Sequence, residues 1–133
     1  MILLDTNIIL RFILDDDPIL SSKTKTIFKK IEQEKNKVFI SLLTLSEVIF
    51  TLERSYKLPK KEITDKMIAI GQIPNIIIEN YKLLPGIFTF YMEQNISFID
   101  AYHIALMQKK KIKEIYSFDH DFDKFSQIKR LES

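Results

Sequence analysis

Residues 1–14 read MILLDTNIILRFIL, and this stretch contains the pattern from which the fold is predicted. The first five residues, MILLD, are an apolar run that ends in a carboxylate, which is typical of a short buried strand. Asp5, Thr6 and Asn7 then offer capping side chains ahead of the apolar IILRFIL segment, so a short helix is predicted there. A strand that leads directly into a helix is the unit from which α/β folds are built.

The same alternation of short apolar strands and amphipathic helices continues along the chain. Further strands are predicted at 38–40, 75–78, 114–117 and, as a last edge strand, 128–131. Further helices are predicted at 18–34, 42–56, 60–71, 80–93 and 98–109. This order favours an α/β fold with a largely parallel sheet. Because no linker, repeat or low-complexity stretch interrupts it, we predict one domain over residues 1–133.

The composition excludes several classes of functional site. The chain of 133 residues has no cysteine, which removes disulfides, thiolate zinc sites, iron–sulfur clusters and a cysteine nucleophile. Its two histidines are too few for a three-histidine zinc site within one chain. Its two glycines, Gly71 and Gly86, are too few and too far apart for either glycine-rich nucleotide motif.

Charge and hydropathy predict a protein that is independent of membranes. The net charge is only +2, so a nucleic-acid partner would have to be held by local patches of charge. No uncharged apolar run approaches the roughly 20 residues of a membrane span. Asp5 interrupts the first apolar run and no basic region precedes it, which argues against a signal peptide. We therefore expect a cytoplasmic location and no membrane partner.

Four acidic residues each follow a predicted strand or begin a predicted helix: Asp5, Glu47, Asp100 and Asp119. Each also has a structural explanation when taken alone. Asp5 fits a helix N-cap, and both Thr44-x-x-Glu47 and Ser97-x-x-Asp100 fit capping boxes. Their common placement is more informative, because ligands of α/β folds bind outside the carboxyl ends of the strands.

Carboxylates that converge at such an edge need a cation. Their mutual repulsion is too costly otherwise, and carboxylate oxygens with water are the ligands that Mg²⁺ and Mn²⁺ prefer. Such sites commonly serve phosphoryl-transfer chemistry. The run Asp119-x-Asp121-x-Asp123 does not fit a calcium-binding EF-hand loop, which requires glycine at its sixth and glutamate at its twelfth position; here these are Lys124 and Arg130.

Four segments in this order carry a resemblance to a known family: LLDTNIIL (3–10), TLSEV (44–48), FIDAYHIAL (98–106) and SFDHDFDKF (117–125). Together they resemble the successive motifs of the PIN-domain family, most closely its VapC-type toxins. The resemblance spans nearly the whole chain. It implies a three-layer α/β/α sandwich with a central, mainly parallel sheet of four to five strands.

The resemblance also implies roles for particular residues. The family's four acids fall on Asp5, Glu47, Asp100 and Asp119. Of these, Asp5, Asp100 and Asp119 would hold the metal, and Glu47 would complete the catalytic site. Accessory positions fall on Thr6, Asn7, Ser117 and Asp121. Arg11 follows the first motif closely enough to bind a phosphate or an acidic group of an antitoxin.

The function implied by the resemblance is that of an endoribonuclease dependent on Mg²⁺ or Mn²⁺, acting as the toxin of a toxin–antitoxin pair. RNA, a cognate antitoxin and a second copy of the chain are the implied partners. Two alternatives stay open from sequence alone. One is a non-catalytic module of the same fold that binds RNA or protein, although a carboxylate-rich face is unsuited to binding a polyanion. The other is a nuclease for RNA processing or for DNA.

Overall fold

The structure, a computed structural model, describes residues 1–34 and 36–133. The chain divides into two compact units, Met1–Tyr81 and Lys82–Ser133, which are described in turn. The assignment of residues 1–133 to a single domain stays a prediction.

The first unit is a three-stranded sheet with four helices. The strands are β1 (Ile2–Leu3), β2 (Val38–Ile40) and β3 (Ile76–Ile78), and the helices are α1 (Thr6–Leu14), α2 (Pro18–Gln33), α3 (Leu42–Arg54) and α4 (Lys60–Gly71). The strand order is β1-β2-β3, and both neighbouring pairs are parallel, with Ile2 opposite Val38 and Val38 opposite Ile76. Each parallel pair is connected through helices, as parallel pairing requires.

Local chemistry explains where these helices begin. The Asp17 carboxylate accepts hydrogen bonds from the amides of Ile19 and Leu20 at 3.1 Å, and Pro18 occupies the first turn of α2. At α3 the cap is Ser41, whose hydroxyl accepts from the amide of Thr44 at 3.1 Å. The alternative explanation of Glu47 as part of a capping box with Thr44 is therefore wrong, because the N-cap lies three residues before Thr44.

The core of the first unit is formed by the inward faces of its helices and by β2. Fully buried apolar side chains include Ile9, Ile40, Leu45, Ile49, Leu52, Ile63 and Met67. The burial predicted for the first strand is wrong, since Ile2 is 52% and Leu3 69% exposed. The physical reason is that, within residues 1–34 and 36–133, β1 lies at an edge of its sheet and pairs only with β2.

The second unit contains two helices, a 3₁₀ helix and two strands. These are α5 (Leu84–Glu93), α6 (Phe98–Lys110), β4 (Glu114–Tyr116), the 3₁₀ helix (His120–Lys124) and β5 (Lys129–Leu131). The strands β4 and β5 are parallel, with Ile115 opposite Arg130. Helices α5 and α6 pack together through Tyr91 and Phe98, whose ring centroids lie 6.0 Å apart in an edge-to-face arrangement.

The α/β class and the parallel pairing of neighbouring strands are confirmed. All five predicted strands form, but in the described residues they make a sheet of three and a sheet of two rather than one sheet of four to five. Among those same residues, no helix is both long and apolar enough to cross a membrane.

Candidate metal centre

Three carboxylates of the second unit meet in one cluster. Asp100, Asp119 and Asp121 each contribute an oxygen, and these oxygens all lie within 4.8 Å of one another. Asp100 and Asp121 are half-buried, whereas Asp119 is exposed. Asp100 and Asp119 were both predicted as metal ligands, and Asp121 was predicted as an accessory residue. The structure brings these three together, and we call them the acidic cluster.

The first turn of α6 places Asp100. Ser97 caps this helix, and its hydroxyl accepts a hydrogen bond from the Asp100 amide at 3.1 Å. The Ser97 half of the predicted capping box therefore forms. The Asp100 side chain belongs to the acidic cluster at the same time, so capping does not account for the carboxylate by itself.

A series of short-range hydrogen bonds places the other two carboxylates. The hydroxyl of Ser117, directly after β4, accepts from the amide of Asp119 at 3.0 Å. The carboxylate of Asp119 in turn accepts from the amide of Asp121 at 2.9 Å and so caps the 3₁₀ helix. Ser117 thus fixes the backbone from which Asp119 projects, and its accessory role in the site stays a prediction.

The electrostatics of the cluster favour a bound cation. Burial raises the pKa of Asp100, and the nearby charge of Asp119 raises it further. One positive charge is already close, since Lys124 Nζ lies 3.2 Å from Asp121 Oδ1. Lys124 also donates to the carbonyl oxygens of Gln94 and Asn95, at 3.2 and 3.4 Å. Sequence reasoning did not assign Lys124 a role in the site, because its two carbonyl partners are 30 and 29 residues away in sequence.

The remaining predicted acids belong to the first unit. Asp5 is the N-cap residue of α1 by backbone conformation, yet its side chain makes no capping hydrogen bond. Glu47 lies on the exposed side of α3, where its Oε2 accepts a hydrogen bond of 2.9 Å from the hydroxyl of Thr6. Thr6 is 6% exposed, so this bond fixes the Glu47 carboxylate from a buried donor. The participation of Asp5 and Glu47 in catalysis stays a prediction.

The two remaining predicted site residues, Asn7 and Arg11, lie on α1. Asn7 is exposed in the first turn of α1. The guanidinium of Arg11 forms an ion pair with Asp16 at 3.0 Å, between two partly exposed side chains. The predicted phosphate-binding role of Arg11 would require exchange of this partner.

The structure and the acidic cluster define an α/β protein with a candidate site for a divalent cation. Residues 2–128 match the PIN domain family, and the chain belongs to that family. The family assignment made from the four sequence motifs is therefore confirmed.

Two known proteins are similar over nearly the whole chain. A protein of Aquifex aeolicus (strain VF5) named VapC ribonuclease is 28% identical over 130 residues, which cover 93% of this chain and 91% of the relative. A solved structure, VapC20 of Mycobacterium tuberculosis, described as a toxin that cleaves the sarcin–ricin loop, is 20% identical. That comparison covers 96% of this chain and 98% of the other, with a TM-score of 0.44.

Proposed function

We propose that this protein is a metal-dependent endoribonuclease that serves as the toxin of a toxin–antitoxin pair. The acidic cluster of Asp100, Asp119 and Asp121, in a chain of the PIN domain family, is the observation that carries the proposal. The name of the Aquifex relative, VapC ribonuclease, supports RNA as the substrate. The proposal treats Asp5, Glu47, Asp100 and Asp119 as the catalytic residues.

The donor set of the cluster fits Mg²⁺ or Mn²⁺. All three donors are carboxylate oxygens, the hard ligands these ions prefer, and no thiolate competes because the chain has no cysteine. The three oxygens lie within 4.8 Å of one another, so these residues could together hold one such ion. We propose Asp100 and Asp119 as ligands together with Asp5, and Asp121 as an accessory ligand.

A bound divalent cation would supply an activated water and would neutralise charge on the phosphodiester and its leaving oxygen. The chain's own residues would hold the ion and move the proton of the attacking water. Asp100 and Asp119 would stay ionised once their repulsion is compensated. Glu47, held by the hydroxyl of Thr6 at 2.9 Å, would orient the nucleophilic water and accept its proton at a carboxylate oxygen.

The proposed partners follow from the substrate and from the resemblance of the four motifs to VapC-type toxins. Single-stranded or looped RNA is favoured as substrate, because A-form duplexes hide their base edges in a deep, narrow groove. We further propose a cognate antitoxin that blocks the acidic site, a homodimer in solution and a cytoplasmic location, where RNA is available.

The test is cleavage of a mixed RNA substrate with Mg²⁺ or Mn²⁺, beside an EDTA control. Asp100→Asn and Asp5→Asn should both abolish cleavage and keep the wild-type circular dichroism spectrum. The matched control is Asp65→Asn, which removes an exposed carboxylate on α4 that belongs to none of the four motifs. The site assignment is wrong if both site variants cleave RNA at the wild-type rate.

A second measurement separates the nuclease from a non-catalytic binding module. Titration calorimetry with Mn²⁺ should show binding that is lost in Asp100→Asn and kept in Asp65→Asn. A folded protein that neither binds Mn²⁺ nor cleaves RNA would favour the binding module.

A further inference from the structure

The guanidinium of Arg130 contacts both ends of the segment that contains Asp119 and Asp121. We call residues 117–123 the acidic loop. Arg130 lies on β5, and its side chain is only 11% exposed. Its Nη1 donates to the carbonyl oxygen of Ser117 at 3.0 Å, where the acidic loop begins. Its Nε donates to the carboxylate of Asp123 at 3.0 Å, where the loop ends.

Further contacts complete the environment of this guanidinium. Arg130 Nη2 lies 3.0 Å from Nδ1 of His120, and His120 Nδ1 lies 3.0 Å from the carboxylate of Asp123. Glu132, which lies outside the acidic loop, also accepts from Nη1. Of these four partners of Arg130 in the described part of the chain, three belong to the acidic loop.

Hydrogen bonds within the acidic loop connect the partners of Arg130 to the carboxylates of the acidic cluster. Ser117 makes two of the connecting hydrogen bonds. Its carbonyl oxygen accepts from Arg130, and its hydroxyl accepts from the amide of Asp119 at 3.0 Å. Asp119 then accepts the Asp121 amide at 2.9 Å. A displacement of Ser117 or Asp123 would accordingly move the carboxylates of Asp119 and Asp121 away from Asp100.

We propose that Arg130 is a positioning residue, which holds the acidic loop so that Asp119 and Asp121 meet Asp100 at the metal centre. The inference rests on the proposed function, because it gives Arg130 a part in that same site. Arginine is suited to the role, since its planar fork reaches several acceptors in fixed directions. Lysine would keep the charge and lose that geometry.

Two simpler roles predict different results. If Arg130 acted only as a nearby positive charge, its removal would tighten the binding of a divalent cation, because a repulsion is lost. If it only stabilised the fold, its removal would reduce the fraction of molecules that bind metal and leave the dissociation constant of the folded molecules unchanged. Only positioning predicts weaker binding by fully folded protein.

The experiment is a Mn²⁺ titration of the full chain by calorimetry, with wild type, Arg130→Gln and Arg130→Lys. Loss of a residue that orients metal ligands typically weakens metal binding 10- to 100-fold, so we expect Arg130→Gln to raise the Mn²⁺ dissociation constant by at least about tenfold. Arg130→Lys should also weaken binding, although the charge is kept. Glu132→Gln is the matched control, and its dissociation constant should stay close to that of wild type.

Circular dichroism and the calorimetric stoichiometry would establish that each variant is folded. If Arg130→Gln does not fold, Arg130→Lys and Asp123→Ala decide the matter. Asp123→Ala removes the acceptor at the far end of the loop and should also weaken Mn²⁺ binding. The positioning role is overturned if the folded Arg130 variants bind Mn²⁺ as tightly as wild type or more tightly.

RNA cleavage distinguishes this inference from the proposed function. Because Arg130 is nearly buried, its variants should lower kcat and leave KM for RNA close to wild type. Wild type that binds Mn²⁺ through Asp100 and cleaves no RNA would refute the proposed function, and the Mn²⁺ constants would still decide the role of Arg130. Active wild type together with unchanged Mn²⁺ binding in the variants would refute the role of Arg130 alone.

Discussion

Asp100→Asn should have opposite effects on stability with and without a divalent cation. In the metal-free protein the Asp100 carboxylate is half-buried and within 4.8 Å of the carboxylates of Asp119 and Asp121. Asparagine has a similar shape and no charge. The substitution therefore relieves repulsion in EDTA and removes a proposed ligand when Mn²⁺ is present.

The magnitude follows from the separation of the charges. At 4.8 Å, two unit negative charges repel by about 0.9 kcal/mol in water and by about 3.5 kcal/mol at an effective dielectric constant of about 20. The lower value is the better guide here, because Asp119 is exposed and Lys124 partly compensates Asp121. With two neighbours relieved, Asp100→Asn should raise the free energy of unfolding in EDTA by about 1–2 kcal/mol.

The same reasoning fixes the pH dependence. The folded-state pKa of Asp100 is raised above 3.8, by burial first and by Asp119 second. A raised carboxyl pKa means that the folded state binds more protons than the unfolded state, so stability falls as pH rises through that range. Wild type therefore regains the lost stability on acidification. In EDTA, the excess of the free energy of unfolding of Asp100→Asn over that of wild type should therefore shrink as the pH falls from neutral to about pH 4.

Mn²⁺ should reverse the order of stability. Binding at a concentration 100-fold above the dissociation constant adds about 2.7 kcal/mol to the free energy of unfolding. Wild type should gain this amount and the variant should not. The assay is urea denaturation followed by circular dichroism, in EDTA and in Mn²⁺, at two pH values.

Asp65→Asn is the control, because it removes a carboxylate that is paired with Lys61 at 3.2 Å and lies outside the acidic cluster. It should be neutral or slightly destabilising in both buffers. The reasoning is refuted if Asp100→Asn is less stable than wild type in EDTA, or if Mn²⁺ stabilises both proteins equally.

Three further predictions concern the first unit. Thr6→Val removes the hydroxyl that donates to Glu47 at 2.9 Å. The kcat for RNA cleavage should therefore fall, and the free energy of unfolding should drop by about 1 kcal/mol. Thr6→Ser keeps the hydroxyl, so both quantities should stay close to wild type. Ile49→Ala creates a cavity at a side chain that is 1% exposed, and urea denaturation should show a loss of about 2–5 kcal/mol. Asp17→Ala removes the cap of α2 and should cost about 1 kcal/mol in the same assay, with cleavage unchanged; a loss near zero would contradict the capping role.

The local elements were largely predictable because their signals are local. Helix α4 occupies residues 60–71, as predicted, and α3 begins at Leu42, as predicted. A capping box of Thr44 and Glu47 was an alternative explanation of Glu47, and it does not form. Ser41 and Thr44 both carry hydroxyls, and only the backbone conformation identifies Ser41 as the cap. The burial of β1 was misjudged because an apolar run specifies a strand and not its neighbours; β1 lies at an edge of its sheet.

The sequence by itself determined the α/β class and the family and proposed four candidate acids, since these depend on residue type, period and motif order. Only the tertiary structure decided that Asp121 joins Asp100 and Asp119, that Thr6 holds Glu47, and that Arg130 binds both ends of the acidic loop. Thr6 and Glu47 are 41 residues apart in sequence, and Arg130 and Ser117 are 13 apart. Hydrogen bonds and charge interactions act over a few ångströms, so they depend on distances that a folded chain fixes and a residue pattern does not contain.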